Sequence, residues 1–228
     1  MISEQDKEKF RQKIGELAKA SQEQGSNTAW FEQVYEQANG NVALIPWAKL
    51  EAHPLLRDWL TTKNPQIKGK ALVIGCGLGD DAEILAEAGF QVTAFDISPK
   101  AIAWCRQRFP DSRVNYCVAD LLDLDSSWNM AFDLVFEYRT VQSLPVSIRD
   151  QVLEAIARTV APNGILLMIS YVSLSGEILS GPPWPLSESD FHRVKDLGFL
   201  ENQRIAFEER EIQQFFIECQ QPTDKSGA

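Results

Sequence analysis

Between residues 71 and 81 the chain reads ALVIGCGLGDD: an apolar run, then Gly75, Gly77 and Gly79 at alternate positions, then Asp80 and Asp81. Glycines so spaced let a strand turn tightly into a helix and bring main-chain amides against a ligand. A dinucleotide needs another glycine at the helix entry and no negative side chain there, because its pyrophosphate meets the helix N-terminus. Position 80 holds an aspartate instead, and position 81 another. The turn therefore suits a nucleoside ligand without phosphates.

Three more acids close later apolar runs. Asp96 in VTAFDIS is placed to accept hydrogen bonds from both hydroxyls of a ribose, and charge-assisted bonds of that kind are among the stronger ones. Asp120 in YCVADLLDL can accept from the amino group of an adenine, with Ile97 and Leu121 on the two faces of the ring. Glu137 in FDLVFEYRT ends a fourth run, where the reacting end of such a ligand should lie; Glu137 or the adjacent Tyr138 could lend a base to a hydroxyl or amine acceptor. Aspartate is also a common turn and cap residue, so Asp96 and Asp120 each carry a purely structural reading as well.

The elements that must hold these residues follow from periodicity. Short apolar runs near ALVIG, QVTAF, RVNYCVA, FDLVFE and GILLMISY read as strands, and DAEILAEAG, SPKAIAWCRQRF and VSIRDQVLEAIARTV read as helices between them. That alternation predicts an α/β fold with a parallel sheet wrapped by crossover helices. Beyond Tyr171 a loop, VSLSGEILSGPPWPL, leads to a helix capped by Ser187 or Ser189, and then LENQRIAFEER and EIQQFFIEC read as an antiparallel pair. Before the first strand, residues 3 to 24 set Phe10, Ile14, Leu17 and Ala18 at helical spacing, and a segment holding three of the six tryptophans runs to a helix ending near Leu60. The expected organisation is an N-terminal helical lid over 1–66, one α/β domain over 67–220 and a flexible tail over 221–228.

Composition limits the partners. With a formal net charge of -10, the 228-residue chain lacks a bulk basic face for nucleic acid. No apolar run is long enough to span a bilayer, and the charged N-terminus is unlike a signal peptide, so a soluble, cytoplasmic protein is expected. The four cysteines lack metal-site spacing and read as reduced thiols; neither a zinc site nor a disulfide framework is expected. His53 and His192 are each lone histidines and are given no role. Arg139 and Arg149 could steer an anionic acceptor, although ion pairing to nearby acids is the commoner use.

VIGCGLGDDA, FDIS, VADLLDL and FDLVFEYRTVQSLP, in this order over residues 70 to 175, resemble the motifs of the class I S-adenosylmethionine-dependent methyltransferases. The resemblance implies a Rossmann-like, doubly wound sheet of seven strands, mostly parallel with an antiparallel terminal strand. It implies S-adenosylmethionine as cofactor, contacted by Gly75, Cys76, Gly77, Gly79, Asp96, Ile97, Asp120, Leu121 and Glu137. More loosely, the tryptophan-rich N-terminal segment and GPPWPLSESDF resemble the thiopurine, thiol and halide branch, whose N-terminal segment covers the cofactor; this adds Trp30 to the contacts. That branch usually carries Asp, Arg and Gly in its fourth-strand motif, whereas this chain has Glu137, Tyr138, Arg139 and Thr140. The acceptor is thus expected to be a small molecule of open class: thiol, metalloid, carboxylate or hydroxyl. Two other readings stand beside this one: a nicotinamide-dependent oxidoreductase, which the paired acids at 80 and 81 oppose, and a regulatory protein that binds the cofactor without turnover.

Overall fold

The computed structural model describes residues 4–63, 68–174, 181–209 and 212–223, the first eight of them by backbone path alone. Seven strands form one sheet: β1 (Lys70–Ile74), β2 (Gln91–Asp96), β3 (Asn115–Val118), β4 (Phe132–Tyr138), β5 (Val160–Tyr171), β6 (Leu200–Glu209) and β7 (Ile212–Gln220), in the order β3-β2-β1-β4-β5-β7-β6. The pairs β1–β2, β1–β4, β2–β3 and β4–β5 are parallel, and β7 pairs antiparallel with both β5 and β6. The expected Rossmann-like sheet with one reversed strand near its end is what forms. The order reverses between β1 and β4, so the crevice for a ligand opens beyond Ile74 and Glu137, which sit side by side in the register.

Alternation along each central strand explains the layers. Leu72, Ile74, Val135, Leu166 and Met168 face one core, covered by α6 (Arg149–Thr159) and α7 (Glu188–Asp196). Ala71, Val73, Leu134, Phe136, Leu167 and Ile169 face the other, covered by α3 (Pro54–Lys63), α4 (Asp80–Glu87) and α5 (Pro99–Arg108). The indole of Trp59 in α3 donates to the buried Glu218 of β7 at 2.7 Å, so α3 is pinned to the sheet although the sequence pattern groups it with the preceding extension.

That extension begins with α1 (Glu4–Glu23) and α2 (Ala29–Ala38). Ile14, Ala18, Trp30, Val34, Tyr35 and Ala38 form a third cluster, which reaches the sheet domain through Leu78 in the glycine turn and Ala101 in α5. The side chain of Phe10, expected on the same apolar face, lies outside the described residues, as do residues 64–67 of the expected linker, 175–180 of the loop after β5 and 224–228 of the expected tail. Asn39 ends α2 in the left-handed conformation, as the Asn-Gly-Asn turn suggests. Ser187 caps α7 in a reciprocal box with Asp190. One boundary differs from the sequence reading: β5 starts at Val160, directly after α6, because Phe132 of β4 pairs with Val160 before a register shift ahead of Leu134. A proline and a glycine at 162 and 164 hid the first part of this strand. Gln221 is likewise no loose tail residue, since its amide donates to Gly164 and its carbonyl accepts from Asn163.

Candidate active site

All three glycines of the first turn have positive φ: 58° at Gly75, 55° at Gly77 and 91° at Gly79. Their reasons differ. A β-carbon on Gly75 would lie 2.4 Å from Thr140 Oγ1, and one on Gly79 would lie 2.5 Å from the Tyr116 hydroxyl. These two glycines are packed against the protein itself. A β-carbon on Gly77 would meet only Tyr35 at 3.6 Å and Trp47 at 3.9 Å, an ordinary contact, so the turn presents its open side to the aromatic extension.

Asp96 ties this turn to the end of β2. One carboxylate oxygen accepts from the Gly77 amide and the other from the Ser98 amide, both at 3.0 Å. Burial pushes its pKa up to about 6 despite these amides, and the nearby Glu32 adds to the rise. The carboxylate thus sits at the strand end with hydrogen-bond donors but, among the described residues, no cationic partner, and each oxygen retains capacity to accept another hydrogen bond. Glu32 of α2 belongs to the same arrangement: it accepts from the Ser98 hydroxyl and, at 3.2 Å, from the Lys100 amide.

At the end of β3 the chain exposes apolar surface. Val118 is 50% and Leu122 40% accessible, beside the exposed Asp120, and such a patch next to a carboxylate suits a planar base with an exocyclic amine. Asp120 uses one oxygen to accept from the Leu122 amide at 2.9 Å, so its turn-capping role is present and its other oxygen has no protein partner among the described residues. Leu121 is buried against the sheet core, and Ile97 is half-buried. Cys76 is half-buried in the glycine turn, its thiol raised well above the ordinary range chiefly by a hydrogen bond to Cys105. Trp30 is buried, stacked on Phe31 with centroids 3.8 Å apart and meeting Trp47 edge-on at 6.0 Å.

Glu137 and Tyr138, adjacent in sequence, point to opposite faces. The Glu137 carboxylate is fully buried, accepting from the amides of Thr140 and Val141 and from the Ser170 hydroxyl at 3.5 Å. Burial raises its pKa to about 7, but the side chain is enclosed by the turn it caps. Tyr138 faces the other way. Its hydroxyl is buried with no protein partner among the described residues, its ring meets His53 edge-on at 4.8 Å, and burial pushes its pKa up.

The paired acids are placed otherwise than their position in the motif suggests. Asp80 receives both terminal nitrogens of Arg108 at 2.7 Å, and Asp81 accepts the His53 amide at 2.7 Å. Burial raises the Asp81 pKa to about 6. These carboxylates brace the turn against α5 and against the start of α3, so the repulsion argument against a phosphate is weaker than the sequence alone implies. Sequence reasoning also passed over His53. It is buried, its Nδ1 accepts from the Leu55 amide at 3.2 Å, and burial with Lys49 and Arg139 nearby lowers its pKa to about 4. The one signal was its place directly before Pro54, where a side chain can cap a helix. Arg149 takes the commoner of its two expected uses, pairing with Asp190 at 3.1 Å.

Among the described residues, a buried acid with no cation paired to it, an open glycine turn and an exposed apolar shelf fit S-adenosylmethionine. Comparison with known proteins agrees. Residues 71–164 match the methyltransferase domain family. Thiocyanate methyltransferase 1 of Arabidopsis thaliana is 26% identical over 180 residues, 78% of this chain and 74% of that protein. Thiopurine S-methyltransferase of Legionella pneumophila (strain Corby) is 24% identical over 162 residues, 64% of this chain and 72% of that one. In fold, the chain is similar to an N-methyltransferase of Bradyrhizobium japonicum in complex with S-adenosylhomocysteine, with TM-score 0.66 and 20% identity over 84% of this chain and 98% of the other. Fold, site and sequence relatives together support an S-adenosylmethionine-dependent methyltransferase acting on small molecules. The nicotinamide and non-catalytic readings are set aside. Among the described residues no helix is long and apolar enough to cross a membrane, and no group of three or more His, Cys, Asp or Glu is placed to hold a metal.

Proposed function

We propose that this enzyme methylates a soft sulfur nucleophile at the carboxyl end of β4. The cofactor supplies a methyl group already activated by a sulfonium, so the protein has to align, exclude water and, for hard acceptors only, remove a proton. The carrying observation is the orientation of Glu137. It is the acid whose pKa lies nearest neutrality, and its carboxylate is enclosed beneath the Thr140–Val141 turn. On the acceptor side stand Tyr138, a poor base because its hydroxyl is held protonated, and His53, whose lowered pKa makes it a weak one. A thiolate, its proton already lost to water before it attacks, needs neither. The names of the thiocyanate and thiopurine relatives support the same reading.

In this proposal Asp96 holds the ribose, and Asp120 with Ile97 and Leu121 bounds the adenine. Gly75, Cys76, Gly77 and Gly79 lie along the amino-acid end, and Trp30 belongs to the cover above. Tyr138 lines the acceptor side, and Glu137 is a positioning residue that fixes the turn after β4. A cytoplasmic setting is part of the proposal, supported by four unpaired cysteines. The test is transfer of a labelled methyl group to matched thiol, hydroxyl and amine acceptors, alongside calorimetry with S-adenosylhomocysteine. Thiols are expected to be the favoured acceptors. Turnover confined to hydroxyls or amines would overturn the acceptor class, and failure to bind S-adenosylhomocysteine would overturn the whole.

A further inference from the structure

Beside Tyr138, at the carboxyl ends of β4, β5 and β6, lies a second set of groups that cofactor binding leaves unused. Arg139 has φ of 63°, a conformation that non-glycine residues hold only when their surroundings impose it. Its guanidinium lies 4.8 Å from the ring centre of Tyr138 and 4.3 Å from that of Tyr171. One terminal nitrogen donates to Glu209 and to the fully buried Gln214, both at 2.7 Å, while the buried Nε–H has no partner among the described residues. Lys49, from the extension, reaches the other oxygen of Glu209 at 2.6 Å and stands 6.0 Å from the Tyr138 ring centre.

Two cations therefore share one carboxylate in a chain whose net charge is -10. Their side chains are 17% and 27% accessible, so the corner is neither sealed nor freely solvated, and charge there is screened less than on the open surface. Of the other acids nearby, Asp81 has its charge turned to the His53 amide, and Glu137 is enclosed beneath the Thr140–Val141 turn. Aromatic walls from Tyr138, Tyr171, Phe207 and His53 surround this positive corner. An arginine held against two rings, with an N–H that has no partner among the described residues, is suited to a planar anion.

We propose that Arg139 and Lys49 form a carboxylate-binding subsite, so that the acceptor carries a carboxylate besides the atom that receives the methyl group. This deepens the proposed acceptor reading and rests on it. Arg139 is then the specificity determinant, and Glu209 orients both cations.

The test uses 4-sulfanylbenzoate and its neutral counterpart 4-sulfanylbenzamide, titrated calorimetrically into the full chain saturated with S-adenosylhomocysteine. The acid is expected to bind at least about tenfold more tightly than the amide, one charge-assisted contact being sufficient for that ratio. Arg139→Gln should bring the two within about twofold, Lys49→Met should narrow the gap, and Arg139→Lys should retain part of it, all without changing affinity for S-adenosylhomocysteine. Equal affinity in the unaltered chain, a preference that survives Arg139→Gln, or no heat from either thiol overturns the subsite while leaving methyl transfer standing. Loss of S-adenosylhomocysteine binding in the unaltered chain instead removes the reading beneath it.

Discussion

The carboxylate of Glu32 on α2 accepts a hydrogen bond from the hydroxyl of Ser98, whose own amide donates to Asp96. The extension is thereby joined to the acid proposed to hold the ribose, and through Asp96 to the Gly77 amide. Replacing Asp96 by Asn removes the charge from these bonds. Affinity for S-adenosylhomocysteine should fall roughly tenfold to a hundredfold, the range expected from about 1.5–3 kcal/mol for hydrogen bonds to a charged group. Calorimetry with an unchanged circular dichroism spectrum would measure it, and unaltered affinity would remove Asp96 from the site.

Glu32 gives a subtler effect. It contributes to the raised pKa of Asp96, and ribose hydroxyls donate best to the ionised form, so cofactor affinity should weaken as pH falls through about 6. Glu32→Gln preserves an acceptor for Ser98 but withdraws the neighbouring charge. The acid limb of the affinity profile should then move to lower pH. A purely structural role for Glu32 would weaken binding at every pH without moving that midpoint.

Stability should carry the mark of the buried acids. Asp81 and Asp96, at about 6, and Glu137, at about 7, all have folded values above those of the unfolded chain, near 3.9 for Asp and 4.3 for Glu. Their stabilising contribution is complete below about 4 and is lost as pH rises through 6 to 7. His53 opposes them, since its folded value of about 4 lies below the unfolded 6.5 and costs stability as pH drops beneath that point. Between pH 8 and pH 6.5 the acids dominate, so the ligand-free chain should melt at a higher temperature at pH 6.5. Glu137→Gln should remove most of that difference, and a melting temperature that climbs toward pH 8 would contradict the assignment.

Glu137 also separates positioning from catalysis. Glu137→Gln should retain turnover within a few-fold, because an amide oxygen can still accept from Thr140 and Val141. Glu137→Ala should destabilise by about 2–6 kcal/mol, from the Thr140 and Val141 amides left without an acceptor at roughly 1–3 kcal/mol each. Loss of turnover in the glutamine variant at unchanged stability and cofactor affinity would restore the residue as a base.

The glycines can be told apart by the same logic. Gly77→Ala meets no overlap and should cost only the left-handed backbone, about 1–2 kcal/mol, while weakening cofactor binding. Gly75→Ala and Gly79→Ala run into Thr140 and Tyr116 and should lose more stability. Equal melting temperatures for all three would refute this division.

The fold was largely readable because the sheet is buried on both faces, and such strands announce themselves as continuous apolar runs such as ALVIG and LLMIS. The acids at strand ends were readable for the same reason: Asp96 and Glu137 interrupt those runs. What hid was where side chains turn. Glu137 and Tyr138 are neighbours in sequence, yet strand pleating sends one beneath a turn and the other toward His53. The partnerships of Arg108 with Asp80 and of Lys49 with Glu209 span 28 and 160 positions, beyond the reach of any local pattern.

Because β7 runs against its neighbours, Gln220 pairs with Ile165 at the amino ends of the parallel strands, the pole of the sheet away from Asp96 and Tyr138. A fluorophore or surface anchor fixed at Thr223 would leave the mouth clear, whereas one fixed to α2 would stand in the doorway.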